Sequence, residues 1–138
     1  MHFVRLKLTR GTQLISENLY WRGLEEGNYR TLRELPKATI EFSVRAERQG
    51  DRWILATEMV NLSNTPALML RVKAMRAKSG DRILPAVHSD NYIALMPGER
   101  RTITTEIKHS DTRGENPAIQ IEGFNVAATA KNPRQQTE

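Results

Sequence analysis

No cysteine occurs among the 138 residues, which excludes a disulfide framework, a thiolate metal site and a cysteine nucleophile. No run approaches the ~18 consecutive apolar residues of a membrane-spanning helix. Met1-His2-Phe3-Val4-Arg5 lacks the apolar stretch of a signal peptide and begins inside an alternating pattern, as a fragment cut from a longer chain would. Aromatic residues are scarce, at 6%, too few for a broad stacking platform. The histidines, His2, His88 and His109, include no pair at ligand spacing, so neither a metal nor a cofactor is expected. A glycine-rich phosphate loop is missing as well. Gly23, Gly27, Gly50, Gly80, Gly98 and Gly114 fall singly at turns. No segment sustains a 3.6-residue period over four turns.

Cations, by contrast, are in excess: 21 Lys and Arg against 16 Asp and Glu, a formal charge of +5. Their placement tempers a nucleic-acid reading. Arg5 and Lys7 alternate with Val4, Leu6 and Leu8, and Arg71 and Lys73 alternate with Leu70, Val72 and Ala74. Alternate strand positions face opposite ways, so these cations lie on the wet side of a half-buried sheet. No phosphate-clamping Gly-x-x-Gly and no RNA-recognition aromatic signature accompanies them. Neither a nucleic acid nor a membrane is therefore the expected partner, although a basic nucleic-acid-binding sandwich stays as an alternative.

A period of two dominates. Ile40, Phe42, Val44 and Ala46 alternate with Glu41, Ser43, Arg45 and Glu47. Gly50-Asp51 turns the chain, and Trp53, Leu55, Thr57 and Met59 form the next face. Asn61 to Pro66 is dense in turn formers and includes the glycosylation sequon Asn61-Leu62-Ser63. Further strands follow at Leu68–Ala74, Arg82–Val87, Arg101–Lys108 and Ile119–Ile121, with Phe3–Leu8 and an extended Gln13–Trp21 before them. Asn28 to Leu35 reads as one helical turn stopped by Pro36. Seven or eight strands at roughly ten-residue spacing predict an all-β, immunoglobulin- or fibronectin-like two-sheet sandwich over residues 1–126, with a small closed barrel as competitor. Residues 127–138 are polar, contain Pro133 and read as a disordered tail. Phe42 and Trp53 are expected in the core. Tyr20 and Trp21 are adjacent in an extended segment, so one of them should lie near the surface or in an interface.

Catalytic groupings are weak. His88-Ser89-Asp90 sets three triad residue types side by side, but neighbours on an extended chain point apart and cannot converge on one atom. Glu25, Glu26, Glu41, Glu47, Glu99 and Glu106 lie in turns or on wet faces, and nothing in the sequence supplies the walls of a pocket around a pair of them.

Several strings occur together in order: His2-Phe3-Val4-Arg5-Leu6-Lys7-Leu8, Ser16-Glu17-Asn18-Leu19-Tyr20-Trp21, Leu35-Pro36-Lys37-Ala38, Asn61-Leu62-Ser63 with Pro66-Ala67, Leu84-Pro85-Ala86, and Ser89-Asp90-Asn91-Tyr92 leading into Leu95-Met96-Pro97-Gly98-Glu99. This set, from about His2 to Phe124, resembles the C-terminal immunoglobulin-like domain of glycoside hydrolase family 2 enzymes, in the exo-β-D-glucosaminidase and β-mannosidase branch. In that family the two catalytic glutamates belong to a separate β/α barrel, to which nothing here corresponds. The resemblance implies a non-catalytic accessory domain of a periplasmic or secreted exo-β-glycosidase acting on glucosaminide- or mannoside-type bonds. Its partners would be the remaining domains of that parent, with carbohydrate as a second candidate. An autonomous carbohydrate-binding module is the alternative. Ser89, Asp90, Asn91 and Tyr92, together with Trp21, are the candidate substrate-edge or interdomain residues. The other reading of Ser89–Tyr92 is a side-chain-bonded turn in which Asp90 and Asn91 cap backbone amides.

Overall fold

The computed structural model describes residues 1–134. Rather than one domain over 1–126, the chain forms two compact units, Met1–Pro36 and Lys37–Glu138. The first is an antiparallel hairpin of β1 (His2–Arg10) and β2 (Gln13–Arg22), followed by a 3-10 turn at Arg30–Glu34. Gly11, at φ +59°, makes the tight reversal. The 3-10 turn falls within the expected helical segment and buries Leu32.

The described residues of the second unit form eight strands: β3 (Ile40–Gln49), β4 (Arg52–Asn61), β5 (Ala67–Arg76), β6 (Ala86–His88), β7 (Ile93–Leu95), β8 (Arg100–Lys108), β9 (Pro117–Gly123) and β10 (Val126–Lys131). One sheet runs β3-β4-β8-β6 and the other β10-β9-β5-β7, with every pairing antiparallel. This is the two-layer sandwich that the alternation predicts. Phe42, Val44, Leu55, Met59, Ile103 and Ile107 from the first sheet share a core with Leu70, Val72, Ala74, Ile93, Leu95, Ile119 and Ile121 from the second. Trp53 only borders that core, because its indole N–H reaches out to His109 Nδ1 at 3.1 Å.

The tail reading needs correcting. Residues 126–131 form β10, paired with β9. At the end of that strand Lys131 Nζ donates to the Phe42 carbonyl at 2.8 Å and lies 4.9 Å from the Phe42 ring centre, and beyond it the Arg134 amide donates to the Val44 carbonyl at 2.9 Å. The polar composition that reads as disorder belongs to an edge strand, where exposed side chains are the rule. Residues 135–138, also assigned to the tail, lie outside the described residues.

Candidate functional site

The Ser89–Tyr92 segment links β6 to β7, and each of its side chains has a definite task. The Ser89 amide donates to the Thr104 carbonyl at 2.8 Å, and Ser89 Oγ accepts the Thr104 amide at 3.0 Å. Asp90 Oδ1 accepts the Asn91 amide at 2.8 Å, and Oδ2 takes Arg101 Nη1 at 3.3 Å. Asn91 reaches across to β5: Oδ1 accepts the Val72 amide at 2.8 Å, and Nδ2 donates to the Val72 carbonyl at 3.0 Å. Its carboxamide thus replaces a strand residue opposite Val72, where the β5–β7 ladder of Ala67↔Leu95 and Leu70↔Ile93 ends. Asn91 Oδ1 also accepts the Tyr92 amide at 3.1 Å.

Tyr92 is held at φ +54° and is 58% exposed. Its hydroxyl accepts Arg71 Nη1 at 3.2 Å, and this bond is the first cause holding the Arg71 guanidinium above its ordinary pKa. Arg71 also pairs with Glu122 at 2.9 Å, and Lys73 with the same carboxylate at 2.7 Å. Those cations, Lys73 first, hold Glu122 below the usual carboxylate range. Tyr92, Arg71 and Glu122 line an open recess of about 420 Å³, together with Met69, Gly123 and Phe124. Met69 stands at a register shift in β5 at φ +52° and is exposed between buried Leu68 and Leu70. Gly123 lacks the Cβ that would meet the Leu68 carbonyl at 2.9 Å, so the β9–β10 turn closes tightly against β5. The Phe124 amide bonds that same carbonyl at 2.9 Å. Alternation and turn composition do not flag Met69 or Phe124, since neither a bulge nor a cross-sheet turn contact has a local signature.

Other candidate groupings take structural roles. His88 Nδ1 lies 2.9 Å from Thr105 Oγ1, so His88, Ser89 and Asp90 each engage a different partner. Burial, then Arg82, pushes the His88 imidazole below its ordinary pKa. Asn61 of the sequon is fully buried, and its Nδ2 donates to the Thr65 and Leu95 carbonyls at 2.8 and 2.9 Å. A glycan on that nitrogen is incompatible with this fold. The cations at 71, 73 and 76 are engaged: the first two with Glu122, Arg76 with Asp81 at 3.5 Å and with the Asp111 carbonyl. Trp21 belongs to the first unit, half-buried and edge-on to Phe3 at 6.2 Å, while neighbouring Tyr20 is 50% exposed on the opposite face. No group of three or more His, Cys, Asp or Glu side chains among the described residues is arranged to hold a metal.

The geometry can therefore present a fixed aromatic and charged surface. Comparison with known proteins places it. A family model described as the exo-beta-D-glucosaminidase Ig-fold domain matches residues 18–126. The exo-beta-D-glucosaminidase of Streptomyces avermitilis is 36% identical over 63 residues, covering 46% of this chain and 7% of that protein. That of Arthroderma benhamiae is 29% identical over an alignment of 143 residues, covering 90% of this chain and 15% of the relative. The crystal structure of Amycolatopsis orientalis exo-chitosanase CsxA superposes with a TM-score of 0.81 at 20% identity, over 87% of this chain and 16% of that one, a likeness of fold. The chain spans only 7–15% of the curated relatives it matches. With a family model covering most of its length and the sandwich it requires, the chain belongs to the immunoglobulin-fold domain family of the exo-β-D-glucosaminidases of glycoside hydrolase family 2.

Proposed function

We propose that this chain is a non-catalytic accessory domain of an exo-β-D-glucosaminidase, whose β-glycosidic hydrolysis is done by a separate barrel. The carrying observation is the match of nearly the whole chain to a small, discrete part of much longer glucosaminidases. The chemistry of its acids supports the reading. A glycosidase needs one carboxyl group kept protonated by a pocket, opposite a second one. Glu122 and Glu115 are instead pushed the other way, Glu122 by Lys73 and Glu115 by the backbone amides of Ser79 and Lys78. The partner is the catalytic body of the same polypeptide. Incubation of the 138-residue chain with chitosan oligosaccharides is expected to release no glucosamine, whereas the complete glycosidase releases it. Turnover by the isolated chain would overturn the reading.

One observation favours a second reading, sugar binding by the domain itself. Exposed Tyr92 and Phe124 flank the Arg71–Glu122 pair, combining ring faces with charged hydrogen-bonding groups. Calorimetric titration with chitosan oligosaccharides decides it: heat that vanishes in Tyr92→Ala supports binding, and a flat titration removes it.

A further inference from the structure

Apolar residues are distributed very unevenly between the two units. Residues 1–36 hold one of the twenty buried hydrophobic residues, Leu32, but eight of the fourteen exposed large ones among the described residues. Register explains most of this excess. Val4 pairs with Tyr20, Leu6 with Asn18 and Leu8 with Ser16, so Val4, Leu6, Leu8 and Tyr20 share one face of the hairpin. Their exposures are 39%, 57%, 61% and 50%, and Leu14 and Ile15 add 49% and 46% at the hairpin's far end. Phe3, Arg5, Leu19 and Trp21 on the opposite face are half-buried. The sheet has two strands, of nine and ten residues, and among the described residues no further strand pairs with either outer edge. A lone two-stranded ribbon is at best marginally stable in water, and long unpaired edges beside an apolar face attract further strands. The family model begins at residue 18, leaving β1 and half of β2 outside the domain it describes. The hairpin also separates from the sandwich as a compact unit of its own.

We infer that β1 and β2 are two strands of a second β-sandwich, whose other strands come from polypeptide outside these 138 residues and cover the Val4–Leu6–Leu8–Tyr20 face. The inference rests on the parent-enzyme reading above, since the relatives supply ample further chain: this one covers 7–15% of the curated glucosaminidases and 16% of the solved chain. Strands suit the vacancy better than a helix, because a helix covers the face but leaves both edges with unsatisfied N–H and C=O groups. The 138-residue chain thus joins one complete sandwich to the closing hairpin of another.

Hydrogen–deuterium exchange read at residues 2–22 tests this. In the 138-residue chain at low concentration these amides should exchange at nearly free rates, while β3, β4 and β8 stay protected. In the complete polypeptide carrying the chain, protection at 2–22 should rise at least about 100-fold, and Leu6→Asp should abolish most of that rise without lowering protection in β4. Fast exchange of the hairpin in the complete polypeptide overturns the inference. Full protection already in the monomeric 138-residue chain also overturns it, because the face is then satisfied within the chain. Protection that appears only with a concentration-dependent dimer and is lost in Leu6→Asp assigns the face to a second copy instead. A complete polypeptide that protects the hairpin but releases no glucosamine fails the functional reading alone.

Discussion

Replacing Asn91 with alanine should destabilise the sandwich by about 2–4 kcal/mol, a large share of the 5–15 kcal/mol typical of a domain. The figure follows from what the side chain holds. Its carboxamide satisfies both the N–H and the C=O of Val72, a residue 1% exposed, at 2.8 and 3.0 Å. Truncation leaves both groups without partners, and each buried orphan costs about 1–3 kcal/mol. Asn91 is itself only half-buried, so water can enter its place and the lower half of the summed range applies. Urea denaturation followed by tryptophan fluorescence reads the change. With a slope of about 1–2 kcal/mol per molar urea, the midpoint should fall by about 1–4 M with the slope unchanged. Asn91→Asp keeps the acceptor toward the Val72 amide but sets a carboxylate oxygen against the Val72 carbonyl, so it should not rescue. Ser89→Ala is the control. It removes one exposed bond, to the Thr104 amide, and should cost less than about 1 kcal/mol. A loss below about 0.5 kcal/mol in Asn91→Ala would refute the idea that a side chain substitutes here for ladder hydrogen bonds.

Deleting residues 127–138 should destabilise the domain by at least about 2 kcal/mol and promote self-association, since it removes the β10 pairing, the Lys131 bond to Phe42 and the Arg134 bond to Val44; denaturation and light scattering check it. His88 has a folded pKa below its unfolded 6.5, so the folded state binds fewer protons. Its contribution is present above that value and is lost as pH falls through 6.5 and below, and His88→Gln should flatten this part of a thermal-stability profile. Glu122, also depressed in the folded state, contributes above its unfolded 4.5 and loses that contribution at lower pH, so Glu122→Gln should blunt acid unfolding in the same assay. Met69→Gly should raise stability by about 0.5–1 kcal/mol by relieving a left-handed backbone at an exposed position, measured by the shift in urea midpoint.

The parts of this molecule legible in sequence are those with two-residue periodicity. In β3, Phe42 and Val44 point inward as the alternation requires, and in β4 Leu55, Thr57 and Met59 are fully buried. Leu68, Leu70, Val72 and Ala74 do the same in β5. Strand β10 escaped the pattern because only Val126 of its six residues is buried. Its place comes from edge hydrogen bonds to β9, which any backbone can make, and from contacts between positions 131 and 42, which adjacency in sequence cannot reveal. The division at Pro36 is likewise hidden, since β1 and β2 alternate as well as any core strand and differ in leaving Val4, Leu6, Leu8 and Tyr20 exposed. At the candidate site, Ser89–Tyr92 was singled out by composition, and its turn-bonding reading is visible in the Asn91 bonds. Met69 and Phe124 reach the Tyr92 recess only through a bulge and a turn on other strands, features that exist after the sheets have formed.

Three asparagines reveal a common device. Asn61, fully buried, donates to the Thr65 and Leu95 carbonyls and accepts the Ser63 amide at 2.9 Å. Asn125, 2% exposed, accepts the Leu68 amide at 3.0 Å and donates to the Pro66 carbonyl at 2.9 Å. Asn91 does the same for Val72. Each sits where a ladder breaks off, and each uses a carboxamide, the one uncharged side chain group with a peptide's own donor and acceptor, to continue it. Hydrophobic side chains of equal size would leave those backbone groups unpaired in the interior, at a cost per group comparable to a lost hydrogen bond or more. The consequence reaches the surface. With the 61–67 and 123–126 turns and the 89–92 link tied to β5, β7 and one another through these bonds, Met69, Tyr92 and Phe124 are carried on backbone that the fold itself holds in place. A surface held in this way would spend little ordering entropy on any association it made.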